Sequence, residues 1–154
     1  MVVRVISGFQ TGVDQGGIRA AKALGIPTGG YMPRGWLTEA GPRPEFAEMY
    51  GAVELPTADY PARTRRNVLE ASATIWFGDL GSPGSLSTHN AAMALGRSVL
   101  DVVPGVKPSD VAAWLEANGF RSLNVAGSRE SRAPGIGDRV ERFMLAVFRR
   151  LAQG

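Results

Sequence analysis

Apolar residues along the chain follow two alternating rhythms. Short β-branched or apolar runs, Val2-Val3-Arg4-Val5-Ile6, Ala73-Thr74-Ile75-Trp76-Phe77, Ser98–Val103 and Ser122-Leu123-Asn124-Val125-Ala126, read as strands. Between them lie longer segments with a helical period. Asp14 stands as the N-cap of a first helix that carries Ile18, Ala21 and Leu24 on one face and is stopped by Gly25 and Pro27. A second helix is expected over about Tyr60–Ser72 and a third over about Ser85–Gly96. Pro108 opens a fourth at its first position, with Ser109 or Asp110 near the start. The last helix, capped by Asp138, sets Val140, Phe143, Met144, Val147 and Leu151 in one stripe. Arg149 and Arg150 fall at its end, where cations suit the helix dipole. The Gly- and Pro-rich stretch from Pro27 to Asp59 yields only a short strand near Thr28–Met32 and a helical turn at Pro44–Tyr50 that ends at Gly51.

Strands and helices alternate over the whole length with no linker, charge block or internal repeat. Such alternation predicts an α/β fold, a doubly wound, mostly parallel sheet with helices on both faces, built as one domain over residues 1–154. In such sheets ligands collect at the carboxyl ends of the strands. The loops after Ile6, Phe77, Val103 and Ala126 are therefore where chemistry is expected.

Composition narrows the classes. With 154 residues, 44% of them apolar, the chain is long enough to close one hydrophobic core. The absence of cysteine excludes disulfides, a thiolate nucleophile, an iron–sulfur cluster and thiolate-bound zinc. His89 is the sole histidine, which argues against a zinc or non-haem iron site built on several imidazoles. The N-terminal Met-Val-Val-Arg-Val-Ile-Ser-Gly carries a charge inside its apolar run, so it reads as a strand and not as a signal peptide. No run approaches the roughly 18 apolar residues of a membrane span. No membrane partner is expected, and the expected location is the cytoplasm. Basic residues outnumber acidic ones by 17 to 14, and 15 of the 17 are arginine. Arginine suits planar, bidentate capture of phosphates, although a GC-rich genome produces the same skew. The arginines are dispersed, with no Lys/Arg cluster interleaved with aromatics, so nucleic acid is not an expected partner despite a pI of 9.8.

Three loops carry candidate chemistry. Ser7-Gly8-Phe9-Gln10-Thr11-Gly12-Val13-Asp14 leads from a strand into a helix, where unpaired N–H groups and a partial positive charge favour an anion and glycine admits close approach. The loop is neither a Walker A motif nor a Gly-x-Gly-x-x-Gly fingerprint. Gly78–Thr88 repeats the design, with Gly84, Ser85 and Thr88 as candidate ligand contacts and Ser85 alternatively a simple N-cap. The third loop brings Gly127, Arg129 and Glu130 to the same edge; Arg129 is a candidate phosphate clamp, or the surface partner of Glu130. Arg63, Arg66, Asn67 and Glu70 share one polar helix face, which is either ligand-facing or merely solvated.

Taken in order, Ser7-Gly8-Phe9-Gln10-Thr11-Gly12-Val13-Asp14, Pro27-Thr28-Gly29-Gly30, Pro33-Arg34-Gly35, Tyr60 with Arg63-Thr64 and Asn67-Val68, Gly84-Ser85 with Thr88, and Asn124-Val125-Ala126-Gly127 with Arg129-Glu130-Ser131 and Pro134-Gly135 resemble the circularly permuted YpsA-like family. Members of that family are often labelled molybdenum carrier proteins, and it belongs to the Rossmann-like SLOG superfamily, beside the lysine-decarboxylase-like phosphoribohydrolases. The resemblance runs from about Val3 to Leu151. It implies a Rossmann-like domain that binds a phosphate-bearing small molecule, either a nucleotide or molybdenum cofactor or molybdate, and that assembles as a homo-oligomer, dimer or tetramer. The residues it assigns to ligand or phosphate are Gly8, Gln10, Thr11, Gly12, Asp14, Arg63, Thr64, Asn67, Gly84, Ser85, Thr88, Gly127, Arg129 and Glu130. Phe9, Tyr31 and Trp36 are candidates for stacking on a flat ring.

The chain departs from the family pattern at Phe9, where a glycine is usual, at Pro83, which replaces the first of two glycines, at Trp36, where a basic residue is usual, and at Ala73, where an Asp is common. Ser85–Ala92 also lacks the glutamate that phosphoribohydrolases use at the N-glycosidic bond. The expected function is therefore that of a carrier or binding protein. The alternative is a nucleotide-processing hydrolase, in which Glu130 or Asp14 is the candidate acid/base.

Overall fold

The computed structural model describes residues 1–153. Eight strands and six helices follow one another: β1 Arg4–Ile6, α1 Val13–Ala23, β2 Thr28–Met32, β3 Leu37–Thr38, β4 Gly41–Pro42, α2 Phe46–Tyr50, β5 Ala52–Glu54, α3 Tyr60–Glu70, β6 Ala73–Phe77, α4 Pro83–Leu95, β7 Ser98–Val102, α5 Pro108–Asn118, β8 Ser122–Gly127 and α6 Ile136–Gln153. Six of the strands form one sheet in the order β5-β2-β1-β8-β6-β7, and every pairing in it is parallel. Helices cover both faces, so the expected Rossmann-like, doubly wound topology is the one observed. Short β3 and β4 pair separately as an antiparallel hairpin.

The two faces of the sheet are built differently. On one, α1, α5 and α6 pack over Ile75, Phe77, Leu123 and Val125. Here the α6 stripe buries Val140, Met144, Val147 and Leu151, and Phe143 meets Phe77 edge-on with ring centroids 5.3 Å apart. Helices α1 and α6 approach closely because Gly16 presents no side chain; a Cβ there would lie 2.3 Å from the Gly137 carbonyl oxygen. Arg19 fastens the same pair through Asp138 at 3.3 Å and Glu141 at 2.7 Å. On the opposite face α3 and α4 share only a small apolar cluster of Val68, Ala91 and Ala92, flanked by Leu95 and Val99. This second face has room for polar chemistry. Among the described residues, no helix is long and apolar enough to cross a membrane.

Three helix starts differ from the sequence expectation. Asp14 lies inside the first turn of α1 and caps nothing; the N-cap is Gly12, at φ +83°, where a Cβ would meet the Ser128 carbonyl oxygen at 2.5 Å. Ser82, not Ser85, caps α4 and accepts from the Ser85 N–H at 3.1 Å. Asp138 sits within α6 and pairs with Arg19. For Asp14 and Asp138 a tertiary ion pair claims the side chain, whereas in α4 an earlier serine makes the local cap. Strand β5 and the β3–β4 hairpin go beyond the expected elements, since two or three residues are too few for alternation to register.

His89 ties α4 to β7. Its Nδ1 lies 2.7 Å from the Ser85 carbonyl oxygen and its Nε2 lies 2.7 Å from Asp101 Oδ1. Burial works against a charged ring, but the Ser85 carbonyl and the Asp101 carboxylate outweigh it and hold the His89 pKa above the usual imidazole value. The stabilisation from this bridge is complete below the unfolded imidazole value of about 6.5 and disappears as pH rises through the higher folded one. Asp101→Asn is expected to lower the His89 pKa in an NMR titration and to flatten that part of the stability–pH curve. Separately, Gly16→Ala is expected to cost about 1–3 kcal/mol in urea unfolding, because a helix backbone must move to admit the methyl group.

Candidate functional site

A cavity of about 520 Å³ opens at the carboxyl ends of β1, β6 and β8, on the α3/α4 side. Its floor is the sheet itself. Thr74 is in register with Asn124, and Trp76 with Ala126; Trp76, Asn124 and Ala126 line the cavity. One wall is the loop after β1, with Gly8 and Gln10, continued by Asp14. The facing wall is α3, with Tyr60, Arg63, Thr64 and Asn67. The start of α4 supplies Gly84 and Thr88, the end of β8 supplies Gly127, and the loop that follows supplies Ser128 and Arg129.

Arg63 organises the centre of this cavity. Its guanidinium fills the space where a side chain at Gly8 would begin, since a Cβ there would lie 2.3 Å from Arg63 Nη1. The same Nη1 donates to the Gly8 carbonyl at 3.0 Å and lies 3.8 Å from Asp14 Oδ2. Asp14 also accepts from the Gln10 N–H at 3.3 Å. Burial pushes the Asp14 carboxyl up to about 6, and Arg63 with the nearby backbone N–H groups pulls it only part of the way back. Arg63 and Arg129 each place a guanidinium carbon 5.3 Å from the centroid of the Tyr60 ring. Two cations thus converge on one aromatic ring beside a single carboxyl group whose ionisation burial opposes, which leaves the region electropositive.

Among the described residues, four buried side-chain atoms have no hydrogen-bond partner: Gln10 Nε2, Arg63 Nε, Trp76 Nε1 and Asn124 Oδ1. All four belong to side chains that line this cavity. Buried polar atoms in native proteins are nearly always partnered, so orphans gathered at one cavity single it out as the candidate binding site. The Gln10 amide is held in one orientation by the Thr11 N–H at 3.1 Å and the Glu39 N–H at 2.8 Å, both donating to Oε1, which leaves Nε2 as the free donor.

The fourteen residues assigned from the resemblance divide into three groups. Gly8, Gln10, Asp14, Arg63, Thr64, Asn67, Gly84, Thr88, Gly127 and Arg129 line the cavity. Asn67 does so with its amide already engaged, accepting from the Tyr31 N–H at 2.8 Å and donating to the Tyr31 carbonyl at 3.1 Å. Ser85 is buried within α4 behind the wall. Thr11, Gly12 and Glu130 face a second groove on the far side of the loop, together with Glu39 and Arg19. There the Glu130 carboxylate accepts from the Gly135 and Gly137 N–H groups at the start of α6. Glu39, at the tip of the β3–β4 hairpin, accepts from the Thr11 hydroxyl and from the Ser131 N–H and hydroxyl, so the hairpin clasps both loops.

The stacking surface lies elsewhere than expected. Phe9 is fully buried against Phe46 and Tyr50, and its φ of +62° explains why a glycine suits that position. The Tyr31 ring is covered by Arg66 at 4.5 Å, and neither Tyr31 nor Trp36 lines the cavity. The aromatic rings that do are Tyr60 and Trp76. Trp76 and Asn124 were not among the assigned ligand residues because they sit inside runs that look like core strand; the available signals were the polar amide within β8 and the place of Asn124 in the motif that carries the resemblance.

A carboxyl group with a raised folded pKa binds its proton more tightly when native, so ionisation weakens the fold as pH rises from the unfolded value of 3.8 through about 6. Asp14→Asn is expected to gain stability over the parent across that interval, by at most roughly 3 kcal/mol at neutral pH, with the gap closing below pH 4. Chemical denaturation of both proteins from pH 4 to 8 measures it. Gly8→Ala is expected to displace the Arg63 guanidinium and so raise the Asp14 pKa further, which carboxyl NMR titration reads directly.

Residues 5–148 match the model of the circularly permutated YpsA SLOG family. The crystal structure of a "Putative molybdenum carrier protein" from Syntrophus aciditrophicus SB is similar at 32% identity, over 96% of this chain and 94% of that one, with a TM-score of 0.85. No curated protein matches. The parallel sheet, the strand-to-helix loops at its carboxyl edge and the near full-length match together make this chain a member of the circularly permutated YpsA SLOG family.

Proposed function

We propose that the protein is a binding protein for a phosphate-bearing or similar oxyanionic small molecule, held in the cavity between α3, the start of α4 and the loops after β1 and β8. The clustering of unpartnered buried polar atoms on side chains of this one cavity carries the reading. Three of the four are donors. Two of these, Gln10 Nε2 and Arg63 Nε, accompany Arg129 at the electropositive end. The Gly84 N–H, in the first turn of α4 where helix geometry provides no carbonyl partner, adds a backbone donor. Such a donor set addresses oxygen atoms. A molybdenum-containing cargo would be gripped here through its oxo or phosphate oxygens, which is how the name of the Syntrophus relative bears on this chain. Gly8, Arg63 and Arg129 would hold the anion, with Thr64 and Thr88 beside it.

A second reading is a hydrolase of nucleotide-like substrates, favoured by one observation: Asp14 is a cavity carboxyl whose pKa of about 6 suits proton transfer near neutral pH. Glu130, the other acid considered, has its carboxylate committed to the start of α6.

Isothermal titration with inorganic phosphate, molybdate, molybdenum cofactor and nucleoside monophosphates tests the first reading. Micromolar to millimolar binding is expected, weakened about tenfold or more by Arg129→Ala; no binding of any at millimolar concentration overturns it. Release of free base from a nucleoside monophosphate, abolished by Asp14→Asn, would establish the second reading, and binding without turnover would dismiss it.

A further inference from the structure

The cavity is chemically divided. Its charged side chains come from the walls: Asp14 from α1, Arg63 from α3, and Arg129 and Arg132 from the loop after β8. The floor is neutral, consisting of Trp76, Asn124 and Ala126 on adjacent parallel strands. Floor and wall meet where the far edge of the Trp76 indole lies beneath Gly84; a Cβ on that glycine would stand 3.6 Å from Trp76 Cη2. The indole is fixed from behind by His89, edge-on with centroids 5.9 Å apart. Thr74 fixes Asn124 by accepting from its Nδ2 at 3.2 Å.

Two of the four unpartnered atoms belong to this floor, and they are of opposite kind: Trp76 Nε1 is a donor and Asn124 Oδ1 an acceptor. Both side chains are almost entirely buried, at 3% exposure each. Molybdate, fully deprotonated at neutral pH, offers acceptor oxygens only, and the P–OH of hydrogen phosphate belongs to the group taken by the wall, so either satisfies the wall donors but leaves Asn124 Oδ1 on the floor without a donor. Left unmatched, a buried acceptor weighs against the complex. A hydroxyl or a ring amide supplies both a donor and an acceptor.

We propose that Trp76 and Asn124 form a second subsite that reads a neutral donor–acceptor group on the ligand, which makes the preferred ligand an organic phosphate ester and not a free inorganic oxyanion. The proposal rests on the anion-binding reading above and adds a specificity determinant to it. The phosphate is taken by the arginine and loop donors of the wall, and the organic part lies across the sheet toward Trp76.

Titration with four probes tests it: inorganic phosphate, methyl phosphate, ribose 5-phosphate and inosine 5′-monophosphate. Methyl phosphate carries the ester but no donor on its organic part. The expected result is that methyl phosphate binds no better than inorganic phosphate, while a donor-bearing ester binds about tenfold tighter or more. If ribose 5-phosphate already shows the gain, the floor reads a hydroxyl; if only the nucleotide does, it reads a ring amide. Trp76→Phe, which removes the N–H and keeps an aromatic body, and Asn124→Ser are each expected to bring the ratio of ester to inorganic phosphate affinity toward one. Thermal unfolding identifies a variant that fails to fold, in which case the other carries the comparison. Equal binding of all four probes, or a ratio unchanged in both variants, overturns the subsite and leaves the anion site standing. Failure of every probe to bind overturns both.

Discussion

One buried arrangement determines the shape of the candidate site: the Arg63 guanidinium seated where Gly8 has no side chain, bonded to the Gly8 carbonyl and facing Asp14. A cation and a carboxylate so deep in a small α/β protein stabilise the fold weakly at best, because desolvation of each opposes their attraction. Here the balance is visible in the carboxyl, which remains reluctant to ionise despite the adjacent guanidinium. What the pair provides is position. Arg63 is drawn from α3 across to the loop after β1, and its Nε is left unpartnered in the cavity wall.

The unequal faces of the sheet make this arrangement tolerable. Nearly all apolar burial that α/β packing requires is concentrated beneath α1, α5 and α6, where glycine contact between two helices and a striped α6 give close packing. The α3/α4 face contributes little apolar core, so unpartnered donors, a strained loop and a carboxyl whose pKa is raised by burial are carried on the side that holds the sheet together least. The candidate site and the main apolar core thereby lie on opposite faces of the same six strands.

Much of this was legible in the sequence, for identifiable reasons. The four strands beginning at Arg4, Ala73, Ser98 and Ser122 and the long helices announced themselves because their periods extend over enough residues to be read. Gly8, Arg63 and Arg129 were legible as a set only through resemblance, since the three lie far apart in the chain and no local spacing relates them. The helix caps misled because Asp14 and Asp138 have the right composition for capping, while their side chains are claimed by Arg63 and Arg19. The cavity roles of Trp76 and Asn124 went unread for the opposite reason: in a strand covered on both faces, every position resembles core, and which face opens onto a cavity is decided by helices elsewhere in the chain.

The β3–β4 hairpin contributes no side chain to the cavity floor or to its cationic wall, yet a Glu39 backbone N–H joins that of Thr11 in fixing which end of the Gln10 amide is free. An amide is nearly symmetric in shape and opposite in polarity at its two ends, so this remote bond acts as a polarity selector. Relatives that share every cavity-lining residue but differ in the hairpin would hold this amide through the Thr11 N–H alone, so the same donor would be presented less rigidly with no change in the pocket sequence itself.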